Sequence, residues 1–189
     1  MVKFTVLFSV LYGYAALRYH IGQDLEFDQF FFVLNKAISW TAFVLLTTSI
    51  LKDEILAKLN LTRRSLGVTG YIFAVVHILL GLILLWENSY PKFVSNGTLN
   101  ALGWTVILIG LIAFILFSIP FVHVLKKEKQ SKQYKIAKWG VLVVLFHPFL
   151  IGWKGWFTPE AWPLYLPPIT LLSVVYAISI WIIRLTYKR

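Results

Sequence analysis

The chain of 189 residues contains no cysteine. That absence excludes disulfides, thiolate metal sites, cysteine-held iron–sulfur clusters and covalent c-type haem attachment. Charge is scarce too: charged residues make up 14% of the chain, against roughly 25% in a soluble domain. Negative charge is scarcest, with 8 Asp and Glu against 18 Lys and Arg. There is no Gly-rich phosphate loop, no internal repeat, no low-complexity segment and no polar stretch long enough for a soluble domain. What remains is 59% hydrophobic and 17% aromatic. Such a chain has too little polar surface to cover itself, so it reads as a membrane protein of one domain, residues 1–189. A formal net charge of +10 would suggest nucleic acid in a soluble protein. Here no basic helix or stacking platform accompanies it, so nucleic acid is excluded as a partner and membrane lipid is the expected one.

A transmembrane helix needs about 20 mostly apolar residues. Six runs qualify, residues 4–20, 30–51, 65–86, 99–125, 136–157 and 168–187, and predict an all-α, six-helix bundle. The first run lacks a small-residue cleavage site and ends in Arg18, Tyr19 and His20, so it reads as a retained helix and not a signal peptide. Lys3, the second loop (Lys52, Lys58, Arg63, Arg64), the lysine-rich segment 126–138 and the tail (Arg184, Lys188, Arg189) fall on one side. Arg18, Lys36, Lys92 and Lys154 fall on the other, with Asp24, Glu26, Asp28, Glu87 and Glu160. The positive-inside rule then puts both termini in the cytoplasm, and Trp86, Trp153, Trp156 and Trp162 fit an outer aromatic belt. Asn60-Leu61-Thr62 and Asn96-Gly97-Thr98 match the glycosylation pattern but read as chance, the first lying on the inner side.

Two histidines, His77 and His147, lie inside apolar runs, where a titratable side chain is costly and usually functional. Both runs travel from inside to outside. His77 is 13 residues past Arg64, a rise of roughly 20 Å, and His147 is 12 past Lys135, a rise of roughly 18 Å. The two imidazoles therefore come at a common height, outside the midplane. Gly70 and Gly140 each precede a histidine by seven residues, two helical turns, and so share its face. Gly67, Ala74 and Gly81 add small residues near that face of the third run. Such a stripe gives a flat macrocycle room beside an axial ligand, and it equally promotes helix packing. The spacing leaves three readings: a shared haem, a proton path, or polar cross-links between helices.

His20 and His123 end their runs at the two interfaces and read as solvated. Lys36 lies inside the second run; it can snorkel outward or meet a propionate or quinone. Arg63, Arg64 and Lys138 orient the chain and are also candidates for an acidic inner partner, a flavin phosphate or lipid headgroups. Lys154, seven residues past His147, is a candidate for a propionate at the outer side.

Thr62-Arg63-Arg64-Ser65-Leu66-Gly67, followed by an apolar run to His77, resembles the third helix of the ferric reductase-like transmembrane family. The closer likeness is to the haem-binding membrane subunit of the bacterial periplasmic methionine sulfoxide reductase system. Asn35-Lys36-Ala37 leading to Leu45-Leu46-Thr47-Thr48-Ser49 is similar to its second helix, Leu102-Gly103-Trp104 through Phe117-Ser118 to its fourth, and His147-Pro148-Phe149-Leu150 to the end of its fifth. The resemblance implies one b-type haem with His77 and His147 as the axial, iron-binding pair. It also implies electron transfer across a bacterial inner membrane, from quinol or an inner-side flavin (FMN) toward an extracytoplasmic oxidoreductase partner. The family usually carries a further histidine on the fifth helix where this chain has Tyr134, and tends to arginine where it has Trp40. A single outer haem fed by quinol is the form of the expectation. The rival class is a non-redox transporter or a structural subunit of a membrane complex.

Overall fold

A computed structural model describes residues 2–20, 27–86, 90–126 and 133–187, leaving aside the side chains of residues 27, 28, 86, 133 and 134. Among them are seven α-helices: α1 Val2–Tyr19, α2 Phe27–Thr48, α3 Asp53–Lys58, α4 Arg63–Trp86, α5 Ala101–Leu125, α6 Gln133–Gly152 and α7 Ile169–Thr186. Five segments are long and apolar enough to cross a membrane: Gln29–Thr48, Arg63–Leu85, Ala101–Leu125, Lys135–Gly155 and Pro163–Thr186. These coincide with the second to sixth expected runs. The first run is helical, as expected, but α1 carries Lys3, Arg18 and three tyrosines and is not among the five.

The helices close into a ring. α2 packs on α4, α4 on α5, α5 on α6, α6 on α7 and α7 back on α2, while α1 lies outside the ring on α2. α2 is the most enclosed span, and its side chains bury Asn35, Thr41, Thr47 and Thr48. The other spans expose apolar faces, among them Leu79, Leu82 and Ile83 on α4 and Leu108, Leu111 and Ile115 on α5, as a lipid-facing surface requires. Buried residues form two clusters. One joins Leu45, Leu46, Leu66, Phe117, Val141 and Ile180 between α2, α4, α5, α6 and α7, and the other joins Leu11, Ala15, Val33, Ala37, Trp40 and Ile169 where α1 and α7 meet α2.

Polar groups tie the helices across these seams. Thr48 and Tyr176 hydroxyls meet at 2.6 Å between α2 and α7. Tyr71 and Ser118 meet at 2.8 Å between α4 and α5, where Tyr71 also stacks on Phe114 and Phe121. The backbone carbonyls of the three residues that follow α2 are taken by arginines. Arg63 donates to Ser49 O at 3.1 Å and Leu51 O at 2.8 Å, and Arg184 donates to Ile50 O.

The sequence reading missed two small elements. The second loop contains α3, which starts with Asp53 and Glu54 in its positive-dipole first turn. It ends with Asn60 in the left-handed region (φ 51°), Asn60 N–H on Ala57 O and Leu61 N–H on Leu56 O, both at 2.9 Å. That is the Schellman pattern of helix termination. The fourth run is preceded by a hairpin of β1 Val94–Ser95 and β2 Thr98–Leu99. Asn96 and Gly97, with φ of 52° and 74°, supply its two-residue turn. The expected fifth run also reached too far: α6 stops at Gly152, and single-turn 3-10 helices at Trp153–Gly155, Pro159–Ala161 and Pro163–Tyr165 carry the chain to α7.

Candidate functional site

His77 faces α2. Its Nδ1 lies 2.8 Å from Asn35 Oδ1, and the Asn35 amide donates from Nδ2 to the Tyr90 hydroxyl at 2.9 Å. With that amide nitrogen spent on Tyr90, Oδ1 is the acceptor for His77, so the imidazole carries its proton on Nδ1. His147 faces α5. Its Nδ1 lies 3.1 Å from the backbone carbonyl of Val106, which can only accept. Gly110, one turn further along α5, lets the ring lie close: a Cβ there would sit 3.4 Å from His147 Cε1 and Nδ1.

Both imidazoles are therefore fixed in one tautomer by a partner on a neighbouring helix. Among the described residues neither Nε2 has a hydrogen-bond partner, so both lone pairs are free to ligate. Anchoring one ring nitrogen on a carbonyl or amide oxygen is how metal-binding histidines are usually oriented. The two rings are near enough for the charge on one to act on the other. Among the described residues no three His, Cys, Asp or Glu side chains converge. Two imidazole nitrogens alone suit a metal that brings its other donors with it, as a tetrapyrrole does.

No protein-family model matches this chain, and no curated protein does.

The remaining expected site residues fall in three places. Gly70 and Gly140 lie at helix contacts. A Cβ on Gly70 would stand 2.9 Å from Leu46 Cγ and 3.1 Å from Leu46 N on α2, and one on Gly140 would stand 3.1 Å from the Phe117 ring on α5. Arg63 is part of the α2 terminus and also pairs with Asp53 at 3.2 Å. Arg64 is exposed and, with Gly67, Ser49, Phe117 and Phe121, lines a pocket of about 60 Å³ at the N-terminal end of α4. Arg63 lines the pocket with Arg64, and its charge, with those of Arg184 and Lys135, reaches Lys138 next to the lining residue Ala137.

On α2, Lys36 stacks on two rings, Tyr19 at 4.7 Å and Phe32 at 4.3 Å. Lys154 is exposed beside Trp153. His123 Nδ1 lies 2.8 Å from Ile119 O of its own helix. Tyr134 falls in the first turn of α6 with its side chain outside the described residues, as are Asp24, Glu26, Glu87 and Lys188 entirely. Sequence reasoning missed Asn35, Val106 and Gly110. Asn35 left one signal, an amide inside an apolar run; a backbone carbonyl leaves none.

Proposed function

We propose that this chain is a six-span membrane protein that holds one b-type haem between His77 and His147. It then serves as the electron-carrying membrane subunit of an oxidoreductase related to the ferric reductase-like kind. The observation that carries this reading is the pair of free Nε2 lone pairs, each backed by an Nδ1–H anchored on an adjacent helix. A haem bound there would supply a one-electron carrier that cycles between ferric and ferrous iron.

The chain's own residues do the rest. Asn35 and the Val106 carbonyl hold the two rings in place and keep Nε2 unprotonated. The ring of helices excludes water, and the pocket at Arg64 offers a cationic mouth at the inner side. A quinol, or a flavin phosphate at that mouth, is the donor in this reading, and an extracytoplasmic reductase is the acceptor. Both termini lie in the cytoplasm of a bacterial inner membrane, with α1 as the sixth crossing; the basic loops support that orientation.

The test is spectroscopic. The purified protein should show a Soret band with the paired bands of a bis-imidazole haem. His77→Ala and His147→Ala should each lose it while remaining folded. Retention of the band in both variants sinks the axial assignment. A wild-type protein without haem that keeps its fold leaves His77 and His147 as polar cross-links in a non-redox protein.

A further inference from the structure

Between α6 and α7 two neighbouring residues, Leu164 and Tyr165, both sit in the left-handed backbone region, with φ of 52° and 55°. That region is unfavourable for any residue with a Cβ and persists only where the surroundings enforce it. Here the chain is pinned on both sides. Tyr165 N–H bonds Trp162 O at 2.9 Å, and Leu166 N–H bonds Pro163 O at 3.0 Å. Trp162 Nε1 donates to Gly155 O at 2.8 Å, and the Tyr14 hydroxyl of α1 donates to Pro167 O at 2.7 Å. The pinned turn points two apolar side chains away from the protein: Leu164 is 59% exposed and Tyr165 79%. Phe157, in the same connection, is 77% exposed. Turning such groups into water adds a second unfavourable term to the strain, whereas an apolar medium offsets it.

Lipid fits as that medium on three counts. Leu164 and Tyr165 belong to the apolar span Pro163–Thr186, but α7 itself starts only at Ile169. Its 18 residues rise about 27 Å, a little short of a hydrocarbon core of about 30 Å. The residues just before it therefore fall at the edge of that core. Next, the exposed apolar surface runs on from the side of α6. Phe146, Phe149 and Trp153 share one face of α6 and its 3-10 extension and are all exposed. Trp156 packs edge-on against Phe149 at 5.5 Å, which brings the connection onto that same face. Last, residues 153–168 carry one cation, Lys154, and one anion, Glu160, and so no net charge to recruit a charged protein surface.

The indole N–H groups of Trp156 and Trp162 are turned inward, onto Thr170 and Gly155. The side chains left projecting are Phe157, Leu164 and Tyr165.

We propose that the α6–α7 connection lies in the membrane interface, with Phe157, Leu164 and Tyr165 as its lipid anchor. Their apolar parts enter the upper acyl chains, and the Tyr165 hydroxyl stays at headgroup level.

The absence of cysteine allows single thiols to be introduced. Phe157→Cys and Tyr165→Cys replace exposed side chains, so a labelled thiol there displaces no packing. Each full-length variant is nitroxide-labelled and reconstituted in vesicles of phosphatidylethanolamine and phosphatidylglycerol. Power-saturation EPR then compares collisions with oxygen, which partitions into lipid, and with a water-soluble nickel chelate. The oxygen-to-nickel ratio at both positions should exceed that of the free label in water several-fold. A ratio equal to that of the free label puts the connection in water and overturns the proposal. Few collisions with either reagent mark burial against another protein or a second copy and overturn it as well. The haem reading is untouched by any of these results.

Discussion

His77 on α4 donates its Nδ1 proton to Asn35 on α2 across 2.8 Å, and the same amide donates onward to Tyr90. This one relationship fixes the tautomer of a histidine inside an apolar span and links it to the segment between α4 and β1. Asn35→Leu removes the acceptor and leaves a buried donor unsatisfied. The expected loss is about 1–3 kcal/mol of stability, read from denaturant unfolding in detergent. Haem affinity should fall about 10–100-fold, as for other outer-shell partners of metal-bound histidines. Unchanged stability and affinity would remove Asn35 from the site.

Gly70 sets the distance between α2 and α4. Its missing side chain leaves room for Leu45 and Leu46, with Leu46 Cγ only 2.9 Å from where a Cβ would stand. Gly70→Ala should cost about 1–3 kcal/mol by overpacking. Gly13, in α1, has nothing within 4 Å of its Cβ position, so Gly13→Ala should add about 0.5–1 kcal/mol of helix stability. Thermal midpoints of the two variants should move in opposite directions.

Arg63 acts just past the C-terminal end of α2, mainly through backbone carbonyls. Arg63→Ala strips charged hydrogen bonds from Ser49 and Leu51 and should cost about 1.5–3 kcal/mol. Asp53, the exposed partner in the ion pair, should matter far less, with Asp53→Asn within about 1 kcal/mol of wild type. A larger effect from Asp53→Asn would show that the salt bridge, and not the bonds to the Ser49 and Leu51 carbonyls, is what holds this end.

Tyr90 lies outside the spans. Burial raises its phenol above the ordinary value of 10.0, and the hydrogen bond from Asn35 opposes that in part. The unfolded chain therefore ionises first. Stability contributed by the neutral phenol is present below the unfolded value and is lost as pH rises through the folded one. Unfolding midpoints of wild type and Tyr90→Phe should separate less as pH climbs past about 10. A gap that widens there has the wrong sign for a buried neutral phenol.

A chain without cysteine is a clean background for mapping sides. Asn96→Cys on the hairpin turn and Lys126→Cys past α5 both place a thiol at an exposed residue. In intact cells an impermeant maleimide should label the first and not the second until the membrane is opened. Labelling of both from outside breaks the orientation read from the basic loops.

The main helices were legible because hydropathy marks them, and their ends mostly fell within a few residues. α3 was not, since its stop depends on Asn60 adopting a left-handed backbone. The hairpin had a signal, Asn96-Gly97, that glycosylation spacing masked. His77 and His147 stood out as polar residues in apolar runs. Their anchors did not: Asn35 and Val106 lie about forty positions away in sequence, and only the ring of helices brings them near. The glycine spacing was visible as well, but not that Leu46 and Phe117 are the side chains that occupy those gaps.

The enclosure of α2 also bears on how the protein is made. This span carries Asn35, Lys36 and a run of threonines, yet it leaves the ribosome before α4 and α7, the helices that cover it. Lipid is a poor temporary solvent for those groups. α2 should therefore stay at the insertion machinery until its neighbours arrive. A chain truncated before Ile169 should leave α2 crosslinkable to the translocon in pulse-chase experiments, and the full chain should release it.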